Sequence, residues 1–209
     1  GEPLESYLDP RSAGQGLVDR LGAAIRSRPQ ELVGLQETRH ELDRLAREAP
    51  ALVRHVVPDR LDLARLAGLL RALLQERVSV ASLREILEAA SVDPLPAGAD
   101  ALVETIRVRL ARPITHALVG PSGTLRVRPV DPLIEEALRD PPLDPELADE
   151  IIAAIREVSE REPAVLLIQP DVRSALRRLL AAELPDVTIL SYHELDPEAP
   201  IERLAMVSP

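Results

Sequence analysis

Cysteine, phenylalanine, tryptophan and lysine are all missing from this 209-residue chain, and only two tyrosines and one methionine occur. Without cysteine there are no disulfides, no thiolate nucleophile and no cysteine-ligated metal. Without large aromatic rings the core must be built from Leu, Ile, Val and Ala, a set that suits helix packing. Every basic residue is arginine, and nothing in the sequence explains that choice. No apolar run approaches the ~18 residues that a membrane helix requires, and no signal peptide precedes the first helical pattern. The expectation is a soluble, cytosolic chain.

What is present is globular: 45% hydrophobic and 29% charged residues, with a net charge of −10. That sign repels a phosphate backbone, which needs clustered basic residues. Arg173, Arg177 and Arg178 do cluster, but Asp171 and Glu183 sit beside them.

Periodicity divides the chain. Val18, Leu21 and Ile25 share a helical face that Pro29 ends. A second helix is expected over residues 30–48, burying Leu32, Leu35, Leu42 and Leu45. A short apolar stretch follows between Pro50 and Pro58. Asp62 is a good N-cap for a helix with Leu63, Leu66, Leu70 and Leu73 inward, and Ser82 for one carrying Leu83, Ile86, Leu87 and Ala90. Residues 93–98 read as a linker, and Val103, Ile106 and Leu110 mark one more helix.

The second half changes character. Residues 115–119 and 124–130 flank Gly120-Pro121-Ser122-Gly123 and read as a hairpin. Helices are expected over 132–139 and after Asp144, with Leu147, Ile151, Ile155 and Val158 inward. Residues 164–168 form a continuous apolar run, as in a strand buried on both faces. A helix opening at Pro170 and a strand over 187–190 complete a βαβ unit, placing Leu166 beside Ile189. Residues 201–207 supply an edge strand. The fold class is α+β: a helical subdomain, then a small α/β subdomain with a βαβ unit and a mixed sheet. The divisions expected are 1–28, the trailing end of an earlier subdomain; 29–112, helical; and 113–209, α/β.

Chemical motifs are scarce. His40, His55, His116 and His193 lack ligand spacing. Glu135-Glu136 and the pair Glu160 and Glu162 fit solvated helix faces or loops better than an acid/base dyad. Ser122 lies in a turn rather than a nucleophile elbow. Gly14, Gly16 and Gly22 follow no strand and form no phosphate loop. No cofactor, metal or enzymatic activity is expected. Two alternatives stay open: a helix-turn-helix-like nucleic-acid-binding regulator built on residues 78–87, and a small α/β enzyme using the strand end at residues 168–171.

Several segments resemble one family in shared order. They are Glu31-Leu32-Val33-Gly34-Leu35-Gln36-Glu37, Pro50-Ala51-Leu52-Val53, residues 69–80, Leu83-Arg84-Glu85-Ile86-Leu87-Glu88 and Leu110-Ala111-Arg112-Pro113-Ile114. The most specific is Leu176-Arg177-Arg178-Leu179-Leu180 with Glu183-Leu184-Pro185-Asp186 and Leu190-Ser191-Tyr192-His193-Glu194-Leu195. The chain resembles the C-terminal part of the cytosolic region of the FlhA/LcrD/InvA (SctV-type) export-gate family of type III secretion systems.

The resemblance implies a docking-ring component at the cytoplasmic face of the bacterial inner membrane, in a flagellar or virulence system. Its implied partners are other copies of itself in a ring of about nine subunits, secretion chaperones, export substrates, the ATPase stalk and other export-apparatus subunits; nucleic acid is not among them. Family members also carry an N-terminal membrane domain and two earlier cytosolic subdomains, and where they have an Ala-Thr-His-Leu-like stretch this chain reads Gln15-Gly16-Leu17-Val18. The chaperone-binding dimple lies largely between those earlier subdomains, so no residue is carried over for it. Because the helical segment would lie near the ring interface, Arg84, Glu76, Glu88 and Arg65 are the candidate subunit or partner contacts.

Overall fold

The computed structural model describes residues 33–119 and 123–208. The expected helix around Val18 to Ile25 therefore lies outside the described residues, as do the 1–28 division, Leu32 and Ser122. The chain forms two compact units, one ending at Leu83 and the other beginning at Arg84.

In the first unit, α1 (Leu35–Glu48) packs against α2 (Pro50–Val56) and α3 (Leu63–Gln75). Pro50 sits in the first turn of α2, where its missing N–H costs nothing. Asp62 caps α3 by accepting the Arg65 N–H at 2.8 Å. Leu66, Leu70 and Leu73 are buried as their spacing predicts. Leu35 departs from expectation, being 51% exposed. It opens the helix, and Thr38 takes the buried place on that face, its hydroxyl donating to the Gly34 carbonyl at 2.7 Å.

The second unit runs α4 (Leu83–Ala90), α5 (Ala99–Arg109), α6 (Ala111–Leu118), β1 (Leu125–Pro129), α7 (Pro132–Arg139), α8 (Pro145–Arg161), β2 (Val165–Ile168), α9 (Arg173–Leu180), β3 (Ile189–Ser191) and β4 (Ile201–Arg203). A 3-10 turn, Tyr192–Glu194, follows β3. The linker expected at residues 93–98 carries no regular structure, and α5 begins at Ala99. Arg109 fastens it by donating to the carbonyls of Ala89, Val92 and Pro94.

The strand order is β3-β2-β1-β4, and every pairing is parallel. The expected βαβ unit is β2-α9-β3, with Leu166 and Ile189 as register partners. All four residues of β2 are buried, as a strand covered on both faces requires. Ile134, Ile151, Ile155, Leu166, Ile168, Leu176 and Leu180 join α7, α8 and α9 to the sheet in one apolar core. Asp131 and Asp144 cap α7 and α8 through their side chains, each preceding a proline.

Two expectations fail here. The hairpin does not exist: residues 111–118 form α6, and β1 pairs in parallel with β2 and β4. Pro113 lies in the first turn of α6, where a helix tolerates it, and the β-branched Thr115 at the start of the expected strand gave a false signal. The sheet is consequently parallel throughout, not mixed. The boundary drawn at residues 112 and 113 also falls inside α6, within the second unit. Helices α5 and α6 belong with the sheet because buried polar contacts tie them to it.

Candidate interaction site

Those contacts converge on the segment 190–195. Leu190 and Ser191 are strand residues, and the turn after them carries the Glu194 side chain back into the protein, where it is fully buried. One carboxylate oxygen accepts the Ser191 N–H at 2.6 Å. The other lies 2.6 Å from Nε of Arg107, a buried residue of α5. A second buried guanidinium, Arg173 of α9, stands 3.7 Å from Glu194 and bonds Glu104. Thr115 of α6 donates its hydroxyl to the Glu194 carbonyl at 2.9 Å and accepts the Asp196 N–H at 3.0 Å. Two positive and two negative side chains thus meet at the C-terminal end of β3. The cost of taking such charges out of water offsets much of their mutual attraction.

The loop that carries the family-like segment 183–186 has its own support. Arg177 on α9 donates to the Val187 carbonyl at 2.9 Å and to the Leu184 carbonyl at 3.2 Å. The loop so held lines one side of an apolar groove of about 570 Å³. Leu118, Thr124, Val165, Leu184, Val187 and Thr188 are among its walls, at the N-terminal ends of β1, β2 and β3. Arg126 stands at its rim, bonded to Glu162 and, at 3.2 Å, to Glu202. The hydrogen bond from Arg126 lowers the Glu162 pKa below the usual carboxylate range. Glu183 on the opposite rim pairs with Arg156. The groove's charged rim residues Arg126 and Glu183 are thus largely neutralised within the chain.

The strand end at residues 168–171, where open parallel sheets accept ligands, is filled by the protein itself. Glu135 accepts the Gln169 N–H at 2.9 Å, and Asp171 binds Arg139 through both oxygens. The bond from Arg139 also lowers the Asp171 pKa. Glu135 was expected on a solvated face but is 6% exposed, because this backbone bond draws it inward. Glu136 and Glu160 are exposed, and Glu162 is half-buried among Arg126 and Arg128.

All four histidines are exposed, and no metal-type cluster occurs among the described residues. His116 lies 3.1 Å from Asp196. Asp196 has a lowered pKa, first through the Glu198 N–H and then through His116. Among the described residues, no helix is long and apolar enough to cross a membrane.

The four candidate contact residues do not form one cluster. Arg84 and Glu88 are exposed one turn apart on α4, opposite the buried Leu83, Ile86 and Leu87. Arg65 and Glu76 lie in the first unit and are half-buried, Arg65 in the first turn of α3 and Glu76 at its C-cap. Reading the sequence missed the buried Arg107, Arg173 and Glu194. An arginine at a core-facing helical position is the signal that could have found the first two.

The sequence profile of the FHIPEP family matches residues 8–200. The flagellar biosynthesis protein FlhA of Bacillus subtilis is 30% identical over 97% of this chain and 32% of its own length. The invasion protein InvA of Salmonella typhimurium is 30% identical over 88% of this chain and 29% of its own. This chain therefore spans about a third of the length of these relatives. Among solved structures, the Chlamydia pneumoniae CdsV protein superposes with a TM-score of 0.82 at 29% identity, covering 92% of this chain and 60% of that one. The nonameric EscV cytosolic domain from a type III secretion system superposes with a TM-score of 0.77 at 26% identity, over 92% of this chain and 61% of that one. With the profile matching nearly the whole sequence, the chain belongs to the FHIPEP family, the export-gate proteins of flagellar and virulence type III secretion systems.

Proposed function

We propose that this chain is part of a cytosolic docking ring at the export gate of a type III protein-secretion system, acting by binding and not by catalysis. The observation that carries the reading is its likeness, over 92% of its length, to a cytosolic domain whose solved form is nonameric. The ring would assemble through copies of the chain in the complete, membrane-anchored protein, at the cytoplasmic face of the inner membrane. Secretion chaperones, export substrates and ATPase-side components would dock on it. The complex of the chlamydial CdsV with CdsO is a precedent for a second protein binding this fold. A non-catalytic role is consistent with a strand end occupied by Glu135, Asp171 and Arg139. The net charge of −10 disfavours nucleic acid, and the exposed Glu85 and Glu88 make α4 a poor groove reader.

Arg84 and Glu88 carry the proposed contact on the helical face, since i, i+4 charges of opposite sign suit a specific, reversible interface. Exchanging their signs, Arg84→Glu with Glu88→Arg, in the complete protein tests this. Secretion into the medium should fall while the purified chain keeps its helical circular dichroism. Unchanged secretion would remove both residues from the interface.

A further inference from the structure

The two edges of the parallel sheet are protected in different ways. At one edge β4 is exposed along all three residues. It is guarded by its shortness, by Glu202 and Arg203, and by Pro200 just before it. At the other edge β3 is an outermost strand, yet Ile189, Leu190 and Ser191 are all buried.

We propose that the Arg107–Glu194 ion pair is a seal on the β3 edge, occupying two of the backbone positions where a further strand would bond. The register gives the argument. Leu166 donates to the Thr188 carbonyl, so Thr188 and Leu190 turn their backbone groups toward β2. Ile189 and Ser191, odd in the alternation, turn theirs outward. Two of those four outward groups are taken up by the pair: Arg107 Nη2 donates to the Ile189 carbonyl at 3.2 Å, and Glu194 accepts the Ser191 N–H at 2.6 Å. The 2.6 Å contact between Arg107 and Glu194 then joins the two caps. Helices α5 and α6 lie over the turn that carries Glu194, and Thr115 holds the backbone of that turn. Arg173 and Glu104 complete the cluster, with Arg173 Nε 3.7 Å from Glu194 and Arg173 bonded to Glu104. An apolar helix face would cover the edge but leave the Ile189 carbonyl and Ser191 N–H unbonded. The ion pair does both jobs.

The test is Arg107→Met in the whole chain, which preserves bulk and removes every donor. With the Ile189 carbonyl open and Glu194 unbalanced, the variant should self-associate at least tenfold more tightly than wild type in sedimentation velocity. Adding Ser191→Pro should reverse this. Proline removes the outward N–H, and the Ser191 φ of −84° is close to what proline adopts. Sedimentation of Arg107→Met identical to wild type would overturn the proposal, as would association that persists with Ser191→Pro. Amide exchange of the wild-type chain decides independently of how the variant folds. The Ser191 amide should be protected within about tenfold of Leu190, and exchange at the rate of an open strand edge would contradict the seal.

Discussion

Replacing Thr115 with valine changes one atom's chemistry and almost no volume, at the point where α6 meets the turn after β3. In the wild type the buried hydroxyl donates to the Glu194 carbonyl and accepts the Asp196 N–H. Valine fills the same space, so no cavity term enters. Each backbone group left unbonded in the interior costs about 1–3 kcal/mol. The added methyl returns roughly 0.8 kcal/mol of burial. With two such groups the net loss is therefore about 1–5 kcal/mol. Thr115→Ser keeps the hydroxyl and loses a methyl, so it should cost only about 1 kcal/mol. Urea unfolding followed by tyrosine fluorescence reads this well, since Tyr192 lies in the affected turn and tryptophan is absent. With a slope of roughly 2 kcal/mol per molar urea, the valine midpoint should fall by about 0.5–2.5 M. A valine variant within about 0.5 kcal/mol of wild type, or a serine variant equally damaged, would refute the bonding scheme.

Other outcomes follow from the same physics. Ile155→Ala, at the centre of the apolar core, should cost about 2–5 kcal/mol in calorimetry, against less than ~0.5 kcal/mol for Leu35→Ser on the exposed first turn of α1. Asp144→Ala should lower stability by about 1 kcal/mol through loss of the bonds to the Glu146 and Leu147 amides, seen as a shifted Tm. Asp131, Glu162, Asp171 and Asp196 all have lowered pKa values. Their stabilisation should be complete above the ordinary carboxylate range, about pH 5, and drain away as the pH falls through the lowered values. Constant stability from pH 6 to 3 would contradict those pairings.

The element pattern was legible wherever one period dominated. The 3.6-residue spacing of Leu66, Leu70 and Leu73 and the unbroken run at residues 165–168 gave α3 and β2 directly. The capping Asp144 before a proline marked α8. What failed was α6, where Thr115 carries strand propensity but tertiary contacts decide: Thr115 is held by the Glu194 carbonyl and the Asp196 amide, about eighty residues away. The parallel sheet was lost with it, since a hairpin implies an antiparallel pair. The buried charges at Arg107, Arg173 and Glu194 were illegible for a related reason. A charged residue reads as surface until its partners are known, and those partners lie on elements distant in sequence. The segment 190–195 was recognisable as a family signature, but only the structure gives its physical content, a carboxylate returned into the core.

The central claim, membership in a working export gate, is tested most directly by deleting the coding segment for residues 33–208 in the source bacterium. Export of type III substrates into the medium is then measured against the same strain carrying the intact gene in trans. Loss of export with substrates retained inside the cell, restored by the intact gene, is the predicted result. Undiminished export from the deletion strain would contradict the account.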